Sequence, residues 1–251
     1  MGGSGGEWLL TPPGQTRGHT PFLVLPYAGI GASLAAQLAR FLDLPVTVHG
    51  VQLPGRENRL SEPPMTSMEA VVDRLLAVLA PISGSSCLLM GCSLGALIAY
   101  ETARRLAASG KPPRHLVVLA CAPPQLGRFR TGWSALDDDS LLDVLDRRFG
   151  GVPEMVKQNA ALRGLFLPAL RGDATMLDSY RWRPAPVLNV PILTIGGTRD
   201  SQVSAEDLEM WRDLTSGAVE HVMVEGGHLV LRENPAAVAA VLNARLGLPV
   251  G

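Results

Sequence analysis

The segment that decides the fold is CLLMGCSLG, residues 87–95, followed by the apolar run ALIAYETARRLAAS of residues 96–109. The run CLLMG predicts a buried strand, and the residues from Leu94 onward have the apolar spacing of a helix. Gly91 to Gly95 match G-x-S-x-G, in which the central side chain projects from a sharp strand-to-helix turn. The glycines two residues before and after Ser93 let the backbone pass through such a turn without side-chain collisions.

Two possible nucleophiles, Cys92 and Ser93, stand side by side in this turn. Ser93 is the central residue and projects at the positive end of the following helix. Cys92 precedes it, and its side chain should point back into the fold. We therefore predict that Ser93 is the nucleophile and Cys92 a packing residue; the alternative is that the segment is only a turn.

The rest of the chain alternates strand-like and helix-like runs. The strand-like runs are FLVL (22–25), VTVHGV (46–51), CLLMG (87–91), HLVVLAC (115–121), PILTIG (191–196) and VEHVMV (219–224). Helical patterns lie near residues 33–42, 66–80, 94–109, 204–214 and 235–246, and Thr66 with Glu69 resembles a capping box. Because several strands are apolar at successive positions, we predict an α/β fold with a mainly parallel sheet and helices on both faces.

The alternation stops between residues 122 and 190. This segment has amphipathic helical pieces, such as DDDSLLDVLDRRF, and no convincing strand, which predicts a helical lid over the carboxyl ends of the strands. Its larger apolar side chains either line a substrate tunnel or pack the lid on the core: Phe149, Leu165, Phe166, Leu170, Met176, Tyr180 and Trp182. We expect a flexible tail over residues 1–18 and one domain over 19–251.

Composition excludes several classes of function. With 47% hydrophobic and 18% charged residues, the chain of 251 residues should fold around a large core. A net charge of −1 gives no general attraction for nucleic acid or an anionic membrane. The uncharged stretch Leu75–Tyr100 is broken at Pro81, which argues against a membrane span. Three cysteines are too few for a disulfide framework, so we expect a cytoplasmic protein.

A serine nucleophile needs a base and an acid, and the sequence offers one well-placed residue for each. Among five histidines, His228 follows the last strand in the glycine-containing loop EGGHLVL. Asp200 follows the strand ending in GG and is better placed than Asp173, Asp178, Asp207 or Asp213. The order Ser93, Asp200, His228 is that of the α/β-hydrolase fold. We predict an oxyanion hole from the amide of Leu94 and that of Ala28, in the loop LPYAGIGAS of residues 25–33.

Six segments carry a resemblance to a known family: LPYAGIG (25–31), VQLPGRENRLSEPP (51–64), GCSLGA (91–96), LPALRGDATMLDSY (167–180), GGTRD (196–200) and GGHLVL (226–231). Together they resemble the stand-alone type II thioesterases that serve polyketide synthases and nonribosomal peptide synthetases. The resemblance runs from about residue 20 to 235. The VQLPGRENRL and LPALRGD segments separate this family from generic esterases.

The resemblance implies hydrolysis of acyl or aminoacyl groups from the phosphopantetheine arm of an acyl or peptidyl carrier protein. The family's triad falls on Ser93, Asp200 and His228, and its oxyanion amides fall on Ala28 and Leu94. No metal and no other cofactor is implied. Tyr27 and Cys92 stand where the family usually has histidine, and Leu94 where methionine is common. We expect Tyr27, Cys92, Phe166 and Met176 to contact the substrate.

Other functions fit parts of the same pattern. A small-molecule carboxylesterase or an acyltransferase would use the same three residues, whereas a catalytically silent synthase-docking protein would need none of them. Arginines in the insertion either contact an acidic carrier protein or lie on solvated helical faces: Arg128, Arg130, Arg147, Arg148, Arg163, Arg171, Arg181 and Arg183. We expect a monomer whose contact with the carrier protein is transient.

Overall fold

One mainly parallel sheet organises the chain. The computed structural model describes residues 8–13, 18–82 and 87–247. Within these ranges seven strands form the sheet, in the order β1-β3-β2-β4-β5-β6-β7. They are β1 Leu9–Leu10, β2 Thr20–Leu25, β3 Val46–Val51, β4 Leu88–Cys92, β5 His115–Leu119, β6 Ile192–Gly197 and β7 Val219–Val224. β1 is antiparallel to β3, and every other neighbouring pair is parallel.

Helices occupy the connections between the parallel strands. The α-helices are α1 Ser33–Ala39, α2 Met68–Leu79, α3 Leu94–Ala108, α4 Asp138–Phe149, α5 Glu154–Gln158, α6 Ala160–Ser179, α7 Ala205–Glu209, α8 Val230–Glu233 and α9 Pro235–Arg245. Short 3-10 helices lie at Glu57–Arg59, Pro124–Leu126, Trp133–Ala135 and Met210–Leu214. All six predicted strands and all five predicted helical regions are present, within a few residues of their predicted ends.

The sheet is covered on both faces, as the continuous apolar runs predict. In β2, Phe22 and Val24 lie in one buried cluster with residues of α1 and α9. Leu23 and Leu25, which alternate with them, lie in another with residues of α2 and α3. This arrangement confirms the predicted α/β-hydrolase fold class, because side chains of a strand point alternately to the two faces of a sheet.

The predicted flexible tail over residues 1–18 is wrong for residues 8–10. Trp8 is only 3% exposed, and the strand after it pairs with β3. A strand of two residues has too few positions to show an alternating pattern, so the sequence gives no sign of it. Tail residues 1–7 and 14–17, and residues 83–86 of the predicted break at 81–86, lie outside the described residues.

The capping box predicted for α2 is displaced by one residue. The helix begins at Met68, and the side chain of Ser67, rather than Thr66, accepts a hydrogen bond from the amide of Ala70 at 3.3 Å. Both Thr66 and Ser67 have hydroxyl side chains suited to an N-cap. The spacing to Glu69 therefore favoured the wrong one of two neighbouring candidates.

The segment between β5 and β6 contains α4, α5 and α6. Within it the structure shows no strand, only an isolated bridge between Leu188 and Thr215. Several of its arginines pair with carboxylates of the same protein, among them Arg128 with Asp207 and Arg163 with Asp139. Among the described residues, no helix is both long enough and apolar enough to cross a bilayer.

The junction between β4 and α3 is too crowded for side chains at its glycines. A Cβ on Gly91 would lie 2.1 Å from the carbonyl oxygen of Gly95 and 2.4 Å from the amide of Ala96. A Cβ on Gly95 would lie 2.4 Å from the carbonyl oxygen of Pro26. All of these neighbours are backbone atoms, so they can move only if the elements themselves shift.

We expect Gly91→Ala to lower the free energy of unfolding by about 1–3 kcal/mol or more, because the added methyl group overpacks this junction. Urea denaturation measures the change. Gly164→Ala is the matched control, since a Cβ on Gly164 in α6 meets nothing within 4 Å. It should raise stability by about 0.5–1 kcal/mol, as alanine does in an exposed helix. Equal effects of the two substitutions would contradict the prediction.

Candidate active site

Ser93 lies in the turn between β4 and α3 in a strained backbone conformation. Its φ is +52° and its ψ is −114°, outside the regions that residues with a side chain favour. The turn is held in place because the amide of Ser93 donates to the carbonyl of Leu119 at 2.9 Å, and the amide of Ala96 donates to the carbonyl of Ser93 at 2.9 Å. The hydroxyl therefore has a fixed position at the amino end of α3, as the sequence predicts.

His228 reaches Ser93 from the loop after β7. Its Nε2 lies 3.0 Å from Oγ of Ser93, and the residue is only 8% exposed. The loop runs close to the end of β6, because a Cβ on Gly197 would lie 2.1 Å from the carbonyl oxygen of Gly227. Its other support is Glu233, which accepts a hydrogen bond from the amide of Gly227 at 2.8 Å. These contacts hold the loop that carries the imidazole.

Asp200 completes the arrangement from the turn after β6. Its Oδ2 lies 2.9 Å from Nδ1 of His228, and its carboxylate is buried. The other oxygen accepts hydrogen bonds from the amides of Gln202 at 2.8 Å and Val203 at 3.3 Å. These amides leave one carboxylate oxygen for the imidazole. With the proton on Nδ1, Nε2 is free to accept the proton of the Ser93 hydroxyl.

The two residues predicted to supply the oxyanion hole lie after β4 and β2, one directly after Ser93 and the other in the loop after β2. Leu94 is the first residue of α3, where a backbone N–H has no partner within the helix. Ala28 lies in the loop between β2 and α1 and lines the same cavity as Ser93. The oxyanion hole formed by these two amides stays a prediction.

A cavity of about 470 Å³ opens at Ser93 and His228. The helical insertion supplies most of its apolar wall, through Trp133, Leu145, Phe149, Val152, Pro153, Val156, Leu165, Phe166, Ala169, Leu170, Ala174 and Leu177. Polar side chains of the lining, besides those of Ser93 and His228, come from Ser33, Gln37, Arg56, Glu57 and Arg232. The cavity therefore offers an apolar chain one wall to contact, next to the candidate nucleophile.

Two of the four predicted substrate contacts line this cavity and two do not. Tyr27 and Phe166 belong to its lining. Cys92 and Met176 do not line it and are fully buried, so their prediction as substrate contacts is wrong. Cys92 points into the core between the sheet and α1, and Met176 packs in the core on the opposite face of the sheet.

The apolar residues of the insertion divide in the same way. Phe149, Leu165, Phe166 and Leu170 line the cavity, whereas Met176, Tyr180 and Trp182 pack on the core. Core packing is therefore confirmed for three of the seven residues, and contact with a substrate stays a prediction for the four that line the cavity. Phe149 lies nearest the candidate base, with its ring centroid 4.5 Å from that of His228. Nothing in the local sequence of Phe149 distinguishes it from the other apolar residues of the insertion.

A buried thiol beside the candidate nucleophile is poorly suited to react. Burial raises the pKa of Cys92 and of Cys121 far above the usual range, and it raises the pKa of Cys87 to about 11. The reactive form of cysteine is the thiolate. The structure therefore favours Ser93 over Cys92, in agreement with the sequence.

The hydroxyl, imidazole and carboxylate of this site, at the carboxyl ends of a mainly parallel sheet, define a serine hydrolase of the α/β-hydrolase fold. A family model described as Thioesterase domain matches residues 20–246. The chain therefore belongs to the thioesterase family. Its two characteristic segments, VQLPGRENRL and LPALRGD, fall within the matched region.

Individual relatives agree with this assignment. The chain is 31% identical to the gramicidin S biosynthesis protein GrsT of Aneurinibacillus migulanus, over 91% of this chain and 89% of GrsT. Among solved structures it resembles the type II thioesterase BorB of the borrelidin cluster, at a TM-score of 0.83 and 31% identity over 95% of this chain and 97% of BorB. RedJ, a thioesterase of the prodiginine pathway in Streptomyces coelicolor, gives 0.83 and 32% over 94% and 89% of the two chains.

We expect a fluorophosphonate probe to label the folded protein at Ser93 alone. Iodoacetamide at pH 8 should leave Cys87, Cys92 and Cys121 unmodified until the protein is unfolded, because all three are buried and burial raises their pKa values. Peptide mass spectrometry identifies the modified residues. Alkylation of Cys92 in the folded protein, with loss of probe labelling, would contradict this assignment.

Proposed function

We propose that the protein hydrolyses acyl or aminoacyl thioesters from the phosphopantetheine arm of a carrier protein, in a polyketide or nonribosomal peptide pathway. The observation that supports it best is the continuous hydrogen-bonded set Ser93, His228 and Asp200 at one end of an apolar cavity, in a chain of the thioesterase family. GrsT and BorB are named for gramicidin S and borrelidin biosynthesis, which suggests the kind of pathway.

The proposed reaction has two steps. His228 accepts the proton of the Ser93 hydroxyl as Oγ attacks the thioester carbonyl, and the amides of Ala28 and Leu94 stabilise the resulting oxyanion. The tetrahedral intermediate expels the pantetheine sulfur, which takes a proton from His228 and leaves an acyl-enzyme. Water, deprotonated by His228, then attacks the ester carbonyl, and the acid is released as Oγ of Ser93 takes that proton back from His228. The sequence of steps needs no metal and no redox cofactor.

The helical insertion of residues 122–190 is proposed to act as the lid, with its apolar wall contacting the acyl group. Support comes from the cavity lining, because α4, α5 and α6 all contribute to it. The carrier protein is proposed to bind transiently at the cavity mouth. We also propose that the protein acts in the cytoplasm as a monomer.

We expect Ser93→Ala to lower the hydrolysis rate of a loaded carrier protein by about 10⁶-fold, because the nucleophile of a triad cannot be replaced by its partners. Carrier proteins loaded with acetyl, hexanoyl and aminoacyl groups provide the substrates, and mass spectrometry follows release of each acid. Ser109→Ala is the matched control. Ser109 caps the opposite end of α3, so this variant should keep the wild-type rate.

The same substrates separate the competing functions. Faster hydrolysis of the matching oxyester would indicate a carboxylesterase. Ester or amide products in the presence of an alcohol or amine would indicate an acyltransferase. A protein that neither hydrolyses any substrate nor reacts with a fluorophosphonate would be a docking protein without catalytic activity, and our proposal would be wrong.

A second substitution tests the cavity wall. Phe166→Ala should lower kcat/KM for hexanoyl thioesters by about 3- to 10-fold, since loss of partly buried apolar contact is worth ~1 kcal/mol. Hydrolysis of the acetyl substrate should change less, because so short a group offers less apolar surface for contact with Phe166. Phe41→Ala is the control: Phe41 is 47% exposed, close to the 41% of Phe166, but lies outside the cavity. An equal loss of kcat/KM on both substrates would show that Phe166 does not contact the acyl chain.

A further inference from the structure

We propose that Asp173, on α6 of the helical insertion, is a positioning residue that fixes the loop of the oxyanion hole. The inference rests on the proposed function, in which Ala28 supplies one of the two amides. It gives a role to a buried carboxylate that lies outside the triad.

Asp173 binds the loop directly. Its side chain is fully buried, and Oδ2 accepts a hydrogen bond from the amide of Gly29 at 2.7 Å. The same carboxylate receives both guanidinium nitrogens of Arg56, Nη1 on Oδ2 at 2.8 Å and Nη2 on Oδ1 at 2.9 Å. Arg56 is itself only 3% exposed. A two-pronged pair of this kind fixes the orientation of the carboxylate as well as its position.

The rest of the loop is held by side chains from the neighbouring VQLPGRE segment. Gln52 accepts a hydrogen bond from the amide of Ala32 at 2.7 Å. Glu57 accepts the amides of Gly31 and Ser33, each at 3.2 Å. None of these bonds, nor that of Asp173, uses the amide of Ala28. Two side chains, Gln52 and Glu57, thus hold residues 31–33 of the loop, and Asp173 holds the amide next to Ala28.

The loop and α6 also touch at Gly29, where a side chain would displace that of Leu170. Gly29 has a φ of +73°, and a Cβ there would lie 2.5 Å from Cδ2 of Leu170. Leu170 precedes Asp173 by three residues, so both lie on the same face of α6. Because Gly29 follows Ala28 directly, a displacement of the Gly29 amide turns the adjoining peptide of Ala28. The contact therefore joins the position of α6 to the geometry of the hole.

A positioning role predicts that substitution of Asp173 weakens stabilisation of the transition state and leaves substrate binding unchanged. We expect Asp173→Asn to lower kcat for an acyl-N-acetylcysteamine thioester by about 10²-fold, the effect of moving a catalytic group by about 1 Å, while KM stays near the wild-type value. Affinity for a trifluoromethyl ketone bearing the same acyl chain should fall in proportion, because this inhibitor forms an oxyanion on Ser93. A purely structural role would not change the ratio of inhibitor affinity to substrate affinity.

Two further variants keep the test decisive. Asp173→Asn leaves the Arg56 cation without a counter-charge, so the double variant Arg56→Gln/Asp173→Asn removes both charges and should show the same loss of kcat. Asp207→Asn is the matched control: Asp207 is also buried, pairs with Arg128 at 2.7 Å and accepts the amide of Ser204 at 3.2 Å, but lies outside the cavity. It should keep the wild-type kcat.

Each outcome bears on one proposal. Wild-type kcat and inhibitor affinity in either Asp173 variant would overturn the positioning role, as would a rise in KM at constant kcat. Running every variant on a p-nitrophenyl ester as well separates the two proposals. A wild-type protein that hydrolyses this ester but no thioester refutes the proposed function, and the effect of Asp173 can still be read from the ester.

Discussion

The backbone of Ser93 is the constraint on which the site depends. A residue with a side chain held at φ +52° and ψ −114° costs about 1–3 kcal/mol and persists only where its surroundings fix it. Here the surroundings are backbone atoms. β4 and α3 approach so closely at Gly91 that a methyl group would not fit, and α3 approaches the end of β2 just as closely at Gly95. The packing of three core elements therefore holds the hydroxyl where the imidazole meets it.

The order of the strands brings the other groups to that hydroxyl. In the sheet, β2 and β4 are neighbours. The chain leaves β2 toward β3 on one side and leaves β4 toward β5 on the other, so the connections after these two strands diverge and form a switch point. Such crevices at the carboxyl ends of strands are where α/β proteins bind ligands. Ala28 and Ser93 lie on its two sides. β6 and β7 then supply Asp200 and His228, whose loops touch through Gly197 and Gly227.

How much of the fold and the site can be predicted from the sequence depends on how far apart along the chain the interacting residues lie. Strands, helices and the three residues after strand ends follow from local patterns, and the structure brings Ser93, Asp200 and His228 together as their order predicts. Apolar periodicity does not distinguish a helix face that lines a cavity from one that packs on a core. The prediction that Met176 contacts the substrate is therefore wrong, because its side chain packs in the core. Arg56 and Asp173 are 117 residues apart. Their pairing has no local signal at all.

The geometry of α6 links the lining of the cavity to the support of the loop that carries Ala28. Leu170, Ala174 and Leu177 line the cavity, and Asp173, which holds the loop of Ala28, lies on the same stretch of helix. Residues three and four apart share one face of a helix, so a single face both contacts the proposed acyl group and supports the proposed oxyanion hole. An acyl group that displaces α6 must also displace Gly29. Within the proposed function, selectivity for the acyl chain therefore acts on turnover as well as on binding, because a poorly fitting chain disturbs the hole that stabilises its own transition state.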